Sequence, residues 1–299
     1  MKVGLLDVPG ARYTAYWNTF LTELGVDVLT PHWPAAEAYA LGLESLPDVP
    51  AQVQLVLGQL LELGQVDTVL LPQARALLHD AWSESLAELL PRRISGLPRL
   101  LAVPDGGGAM VQAAQAFGQQ LTGHAVQVGA ALGQVRPLSQ AGRETMPPLS
   151  APGRVTLAVI GPDSLLRDSF LSAPLRDKLE ALNVHPVYAS DLPRAQVAER
   201  ARRGVDAGTL GQPMPEGERD LLGAQGLLSG KGAVRGLLYV AAARDAAAWA
   251  SLGRLMTQVH KPALRIEIDP TGGDLPELAD FVARITAPSP AAPAEEAQV

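Results

Sequence analysis

Short, mostly apolar runs alternate along the chain with longer segments in which apolar residues recur at helical spacing. The runs are bounded by Gly, Pro or Asp, which is typical of strands buried in a sheet between helices. Their positions predict strands at residues 3–7, 26–30, 66–72, 99–104, 154–161, 184–190, 234–240 and 262–269.

The segments between these runs have a period near 3.6 residues, which favours helices. The pattern predicts helices at residues 14–24, 51–63, 74–90, 109–121, 166–182, 193–203, 216–228, 245–259 and 275–286. Strands that alternate with helices are joined by right-handed crossovers, so we expect the α/β class with mostly parallel sheets.

The second half of the chain repeats the plan of the first. "ELGVDVLTP" and "EALNVHPVY" occupy equivalent places, as do "GQVDTVLLP" and "GAVRGLLYV". We therefore predict two tandem Rossmann-like (flavodoxin-like) domains that arose by duplication, at residues 1–135 and 154–286. Residues 136–153 contain four prolines without periodicity and predict a linker, and the Pro/Ala-rich residues 287–299 predict a disordered tail.

Composition excludes several functions. The chain has no cysteine, so it holds no thiolate nucleophile, no Cys-ligated zinc and no iron–sulfur cluster of its own. No other motif indicates a cofactor or a metal. The net charge of −7 and the short basic clusters argue against nucleic acid as a partner. No apolar run is long enough to span a membrane and no signal peptide is evident, which predicts a cytoplasmic protein.

Ligands of open α/β sheets bind at the carboxyl ends of the strands, so candidate sites were sought there. In "VPDGGGAMVQ", Asp105 precedes Gly106, Gly107 and Gly108 at the start of a predicted helix. Backbone amides of such a loop favour a phosphate or a carboxylate, and Asp105 suits a ligand hydroxyl. The alternative is a glycine-rich turn in which Asp105 is the N-cap.

The equivalent junction of the second half is "IDPTGGDLPEL". Asp269, Thr271 and Gly272 are the candidate ligand-binding residues there, and the alternative is a turn with Asp274 as the N-cap of the next helix. Near the first strands of the two halves, Arg12 is a candidate anion clamp and Asp163 is either a ligand contact or an N-cap. No catalytic residue is assigned by these patterns.

"YVAAARDAAAWAS" also joins a strand to a helix, but Arg244 and Asp245 are its only charges. Its alanines are good helix formers and Asp245 suits a first turn, so this stretch predicts scaffold rather than a site.

Three segments carry a resemblance to a known family. "MKVGLLDVPGARYTAYWNTFLTELGVDVL", "ESLPDVPAQVQLVLGQLLELGQVDTVLLPQ" and "HKPALRIEIDPTGGDLPELADFVARI" resemble the first, second and last units of 2-hydroxyacyl-CoA dehydratase-related proteins, in the dehydratase-activase-related branch.

The resemblance implies an iron–sulfur cluster on cysteines at two places. At the first place this chain has Pro50 and, further on, Gln52, Gln54, Leu57 and Gln59. At the second, after the strand ending at Val240, it has Ala241, Ala242 and Ala243. This family has Asp-His-Thr-Gly in the last turn. Here Pro270 stands at the acidic-histidine step, and only Asp269, Thr271 and Gly272 of that pattern remain. The resemblance thus implies a divergent member without a cluster.

Three hypotheses follow. The first is a non-catalytic homologue that binds a small anionic or CoA-like ligand, or a protein partner, in the crevice between the domains. The second is an enzyme of another class that uses Asp105, Asp163 or Asp269 with Arg12. The third is a structural or assembly protein, which a large apolar patch would reveal.

Overall fold

The computed structural model describes residues 2–73, 81–139, 144–206 and 214–287. Its strands form two four-stranded sheets, and every pairing is parallel. The first sheet contains β1 (Lys2–Leu5), β2 (Asp27–Leu29), β3 (Thr68–Gln73) and β4 (Arg99–Pro104) in the order β2-β1-β3-β4. The second contains β5 (Val155–Ile160), β6 (Val184–Tyr188), β7 (Val234–Ala242) and β8 (Ala263–Ile268) in the order β6-β5-β7-β8.

Helices flank both sheets. Those of the first domain are α1 (Thr14–Glu23), α2 (Ala35–Ser45), α3 (Ala51–Glu62), α4 (Ala81–Arg93), α5 (Gly107–Thr122) and α6 (Ala125–Ser139). Those of the second domain are α7 (Asp163–Leu166), α8 (Ala173–Ala181), α9 (Arg194–Asp206), α10 (Glu216–Ser229), α11 (Ala246–Met256) and α12 (Pro276–Thr286). The α/β class and the two Rossmann-like domains expected from the sequence are therefore confirmed.

Some elements differ from the expectation. The chain from 166 to 182 is not one helix, because the Asp168 carboxylate accepts the N–H groups of Phe170 and Leu171 at 3.0 and 2.8 Å and breaks the helix there. Helices α2 and α6 were not predicted. Helix α6 ends at Ser139 and so occupies the start of the expected linker, while residues 74–80 and 288–299 lie outside the described residues.

Both faces of each sheet are covered by apolar side chains. In the first domain, Tyr16, Trp17 and Phe20 of α1 are almost fully buried and pack on one another, with ring centroids 5.7 to 6.4 Å apart. Each such ring contributes on the order of 2–3 kcal/mol by leaving water. Helices α3 and α4 cover the other face, with Val53, Leu57 and Leu90 among the buried residues.

Helices α2 and α3 also pack against the second domain. Ala38, Tyr39, Ala51 and Leu55 belong to the same buried cluster as the strands β5, β7 and β8. The Tyr39 ring lies 5.5 Å from that of Phe170. One helix pair thus contributes to the cores of both domains.

The α2–α3 pair is close-packed through glycines. A Cβ on Gly42 would lie 1.8 Å from the carbonyl oxygen of Gln54, and one on Gly58 would lie 1.7 Å from that of Ala38. No larger residue fits at either position without moving the helices apart. Among the described residues, no helix is both long and apolar enough to cross a membrane.

Candidate functional site: a cleft between the domains

A mainly apolar cleft lies where the two domains meet. Its walls combine residues of both domains, namely Val8, Pro9, Pro50, Gln52, Val53, Val56, Leu71, Pro72, Gln73, Trp82, Leu86, Ala87, Ala102, Pro162, Ser164, Asp245 and Ala248. Its volume is about 90 Å³. Since one water needs roughly 10–15 Å³, the cleft accommodates a molecule of on the order of six to nine non-hydrogen atoms.

The cleft lies at the topological switch point of each sheet. In the order β2-β1-β3-β4, the chain passes from β1 to β2 on one side and from β3 to β4 on the other, so the direction reverses between β1 and β3, and the same holds between β5 and β7. Pro9 follows β1, Pro72 is in β3, Pro162 follows β5 and Asp245 follows β7. Open α/β sheets bind ligands at this point, and in this protein the switch points of both sheets open onto the same cleft.

Two loops close the cleft on one side. A Cβ on Gly10 would lie 2.7 Å from the backbone nitrogen of Ser164, so the β1–α1 loop touches the first turn of α7 directly. Gly10 has φ of +88°, a conformation that favours glycine.

A hydrogen bond between Gln52 and Asp245 joins the two domains in the lining of the cleft. The Gln52 side-chain amide donates from Nε2 to Asp245 Oδ2 at 2.7 Å, and Asp245 Oδ1 caps α11 by accepting the N–H of Ala248 at 2.9 Å. A carboxylate only accepts, so Nε2 must face it and Oε1 of Gln52 must face away. Oε1 is buried and has no hydrogen-bond partner among the described residues.

Arg12 joins the domains near one edge of the cleft. Its Nη2 donates to Asp163 Oδ2 at 2.8 Å and its Nη1 donates to Glu144 Oε1 at 3.2 Å. The backbone N–H groups of Arg12 and Tyr13 donate to the Asp105 carboxylate at 2.9 to 3.1 Å. Burial raises the pKa of Asp105, although these hydrogen bonds act in the opposite direction.

The glycines after Asp105 form the start of α5. Gly106 is the N-cap with φ of +125°, Gly107 has φ of +67°, and a Cβ on Gly107 or Gly108 would meet open space. Asp105 is therefore not the N-cap of α5, which was the alternative for its loop, because its carboxylate binds the β1–α1 loop. Likewise, the residue that precedes α7 as its N-cap is Pro162, and Asp163 pairs with Arg12.

Arg244 joins the domains at a second place. Its Nη2 donates to the Tyr39 hydroxyl at 2.8 Å and to Gln54 Oε1 at 3.0 Å, and its Nη1 lies 3.4 Å from Asp269 Oδ2. Its backbone adopts φ of +65°, in the left-handed region that a side chain rarely occupies. Beside it, the N–H of Ala51 donates to the carbonyl oxygen of Ala243 at 3.2 Å.

Asp269, Thr271 and Gly272 belong to this second place. Asp269 Oδ1 accepts from the backbone N–H and the hydroxyl of Thr271 at 2.9 and 2.6 Å. Burial acts to raise the pKa of Asp269, but these bonds and Arg244 outweigh it, so the pKa is lowered. Gly272 has φ of +108°, and Asp274 pairs with Lys178 while Leu275 is the N-cap of α12.

The structure therefore brings Arg12, Asp105 and Asp163 together and places Asp269 with Arg244 instead. None of the nine residues predicted from the sequence lines the apolar cleft. Sequence reasoning missed Gln52, Gln54 and Asp245, and it treated Arg244 as scaffold. The available signal was an Arg-Asp pair isolated among alanines at the end of a buried strand.

Within the part of the chain that the structure describes, no three His, Asp or Glu side chains are grouped to hold a metal ion. No model of a known protein family and no curated protein sequence matches the chain.

Proposed function

We propose that this protein is a non-catalytic, ligand-binding homologue of the 2-hydroxyacyl-CoA dehydratase-related proteins, and that it holds a small molecule in the interdomain cleft. The observation that carries the proposal is the position of the cleft at the switch points of both sheets. A cleft of this kind, mostly apolar with a few fixed polar groups, is typical of small-molecule sites.

The proposed homology is supported by the segments quoted above and by one geometric relation. The two places at which the resemblance implies cysteines lie side by side, since Ala51 donates a backbone hydrogen bond to Ala243. The residues at those places do not fit an iron–sulfur cluster, because Pro50, Gln52 and Ala241 offer no thiolate. This supports a binding role in place of electron transfer.

The lining of the cleft indicates the chemistry of its ligand. Four prolines, Val53, Val56 and Leu86 favour an apolar body, and Asp245 is the one charged side chain that the described residues contribute to the lining. Gln52 lines the cleft, and its Oε1 is a buried acceptor without a partner among the described residues, so we propose that a ligand N–H or O–H satisfies it. A neutral molecule with a hydrogen-bond donor therefore suits the cleft better than an anion. A CoA-like molecule would extend well beyond it.

Phenol and toluene test this proposal, because they have the same size and differ in the hydroxyl group. We expect saturation-transfer NMR to show that phenol binds about three- to tenfold more tightly than toluene, the factor that one hydrogen bond supplies. Gln52→Leu removes the acceptor and should abolish this preference. Benzoate should bind more weakly than phenol because Asp245 repels it.

Two matched substitutions locate the site. Ala87 lines the cleft, so Ala87→Trp should fill it and abolish phenol binding. Ala116 is exposed on α5, so Ala116→Trp should leave phenol binding unchanged. The proposal fails if Ala87→Trp folds normally and still binds phenol with the affinity of the parent protein.

A further inference from the structure

We propose that a second crevice, lined by Arg12, Arg167 and Arg194, binds a small molecule that carries a carboxylate or phosphate group, and that Glu144 occupies this site as an internal substitute. This crevice shares no lining residue with the apolar cleft, so anion binding here is independent of the ligand proposed for the cleft.

The crevice is larger and more polar than the cleft. Its volume is about 480 Å³. Its lining comprises Arg12, Tyr13, Leu138, Glu144, Thr145, Arg167, Ser190, Asp191, Leu192 and Arg194. Among the described residues, the lining holds three arginines and two carboxylates, Glu144 and Asp191, while Asp163 pairs with Arg12 from outside the lining. Guanidinium groups gathered in a concave surface favour an anionic ligand.

The three arginines come from separate elements. Arg12 is in the β1–α1 loop of the first domain, Arg167 directly follows α7, and Arg194 is the first residue of α9. Such convergence depends on the packing of the two domains and does not follow from a single charged helix face.

Glu144 shows how a carboxylate is held there. Its Oε1 accepts from Arg12 Nη1 at 3.2 Å and its Oε2 accepts from the backbone N–H of Arg194 at 2.6 Å. One carboxylate therefore bridges the two domains through a guanidinium and a main-chain amide, a combination that also binds carboxylate and phosphate ligands. The Glu144 side chain is 32% exposed, so a soluble anion has access to the same donors.

Arg12 is held in position independently of Glu144. Its side chain is only 14% exposed, it pairs with Asp163, and its Nη2 lies 3.4 Å from the Ser190 carbonyl oxygen. Its Nε is buried and has no hydrogen-bond partner among the described residues. Removal of the Glu144 charge should therefore leave a preformed guanidinium with donors to spare, and preorganisation strengthens binding.

The experiment is a titration with inorganic phosphate and, separately, with malonate, at constant ionic strength set by sodium chloride. The apparent dissociation constant is read from the rise in melting temperature with anion concentration. We expect Glu144→Gln to bind at least one of the two anions about three- to fivefold more tightly than the parent protein, the range of a partly exposed ion pair. Arg167→Gln in the Glu144→Gln background should reverse that gain.

Glu199→Gln is the matched control. Glu199 also pairs with arginines, Arg202 and Arg203, but on the exposed face of α9, so its loss should not change anion affinity. The inference is overturned if Glu144→Gln gains no affinity for either anion, or if Glu199→Gln gains as much. Ala87→Trp should leave anion binding unchanged, which separates this result from a failure of the cleft proposal.

Discussion

The two domains each contain a helix pair before their third strand, and these pairs pack differently. In the first domain, Val53, Val56, Leu57 and Leu60 of α3 pack on their own sheet, while Ala51 and Leu55 pack in the core of the second domain. In the second domain, Leu221, Ala224 and Leu228 of α10 share a buried cluster whose other fully buried members, among the described residues, all belong to that domain. We refer to α2–α3 as the shared pair and to α9–α10 as the local pair.

The difference teaches how two domains of the same strand order form a rigid site between them. The local pair keeps a charged outer face, with Arg202 and Arg203 largely exposed. The shared pair has an apolar outer face that the other domain covers, and Pro50 and Gln52 at the start of α3 line the cleft. Burial of the shared pair therefore fixes one wall of the candidate site.

Glycine substitution tests the comparison with the largest expected effect. Gly58→Ala places a Cβ 1.7 Å from the Ala38 carbonyl oxygen and should lower the free energy of unfolding by about 3 kcal/mol, measured by urea denaturation. Gly223→Ala is the counterpart in the local pair, where the Cβ would lie 2.2 Å from the Val197 carbonyl oxygen. We expect about 1–2 kcal/mol there, because only one core is disturbed. Equal losses of unfolding free energy from Gly58→Ala and Gly223→Ala would contradict the distinction between the shared pair and the local pair.

Substitutions of Arg244 test the polar interactions between the shared pair and the second domain. Arg244→Ala removes the donors to Tyr39 and Gln54 and should cost about 2 kcal/mol. Arg244→Gly removes them too but relieves the left-handed backbone, so it should cost about 1 kcal/mol less. A urea transition that separates into two steps would show that the domains unfold independently in these variants. If Arg244→Ala and Arg244→Gly lower the free energy of unfolding equally, backbone strain at Arg244 is not significant.

Two buried glutamines extend the comparison between the shared pair and the local pair, with smaller expected effects. Gln54 donates to the carbonyl oxygens of Leu46 and Pro47 and accepts from Arg244, whereas Gln225 accepts from the Tyr239 hydroxyl within its own domain. Gln54→Met should therefore cost about 2 kcal/mol and Gln225→Met about 1 kcal/mol. The reverse order in urea denaturation would argue against a special role for the shared pair.

The smallest effect is expected on the exposed face of the local pair. Glu199→Gln removes contacts with Arg202 and Arg203 that lie in solvent, so the free energy of unfolding should change by less than about 0.5 kcal/mol. A larger loss would mean that this face is also covered, for example by an association between copies that sedimentation would detect.

Much of the fold could be predicted because each strand is a compact apolar run. The strand expected at 99–104 is β4, residue for residue, and the repeat between the halves corresponds to the same strand order in both sheets. Helix α6 escaped prediction because its alanines, glycines and valines show little contrast between its faces, and Pro137 suggested a linker.

The candidate site was harder to predict because it depends on contacts between distant residues. The Asp105 carboxylate binds amides 92 and 93 positions away, and Arg244 binds Tyr39 at a separation of 205. Local sequence indicates that Asp105 suits an N-cap, but it does not indicate which loop will approach it. Inspection of each strand–helix junction by itself therefore located the ends of the strands. It could not show which of these ends the two domains bring together.

The shared pair also affects how the chain is made. Helix α3 ends at Glu62, whereas the first strand of the domain that covers its outer face begins at Val155. At a synthesis rate of about 5–20 residues per second, Tyr39 and Leu55 leave the ribosome roughly 5–20 s before their partners exist. During that interval a finished first domain presents an uncovered apolar surface, which makes the nascent chain a natural client for chaperones.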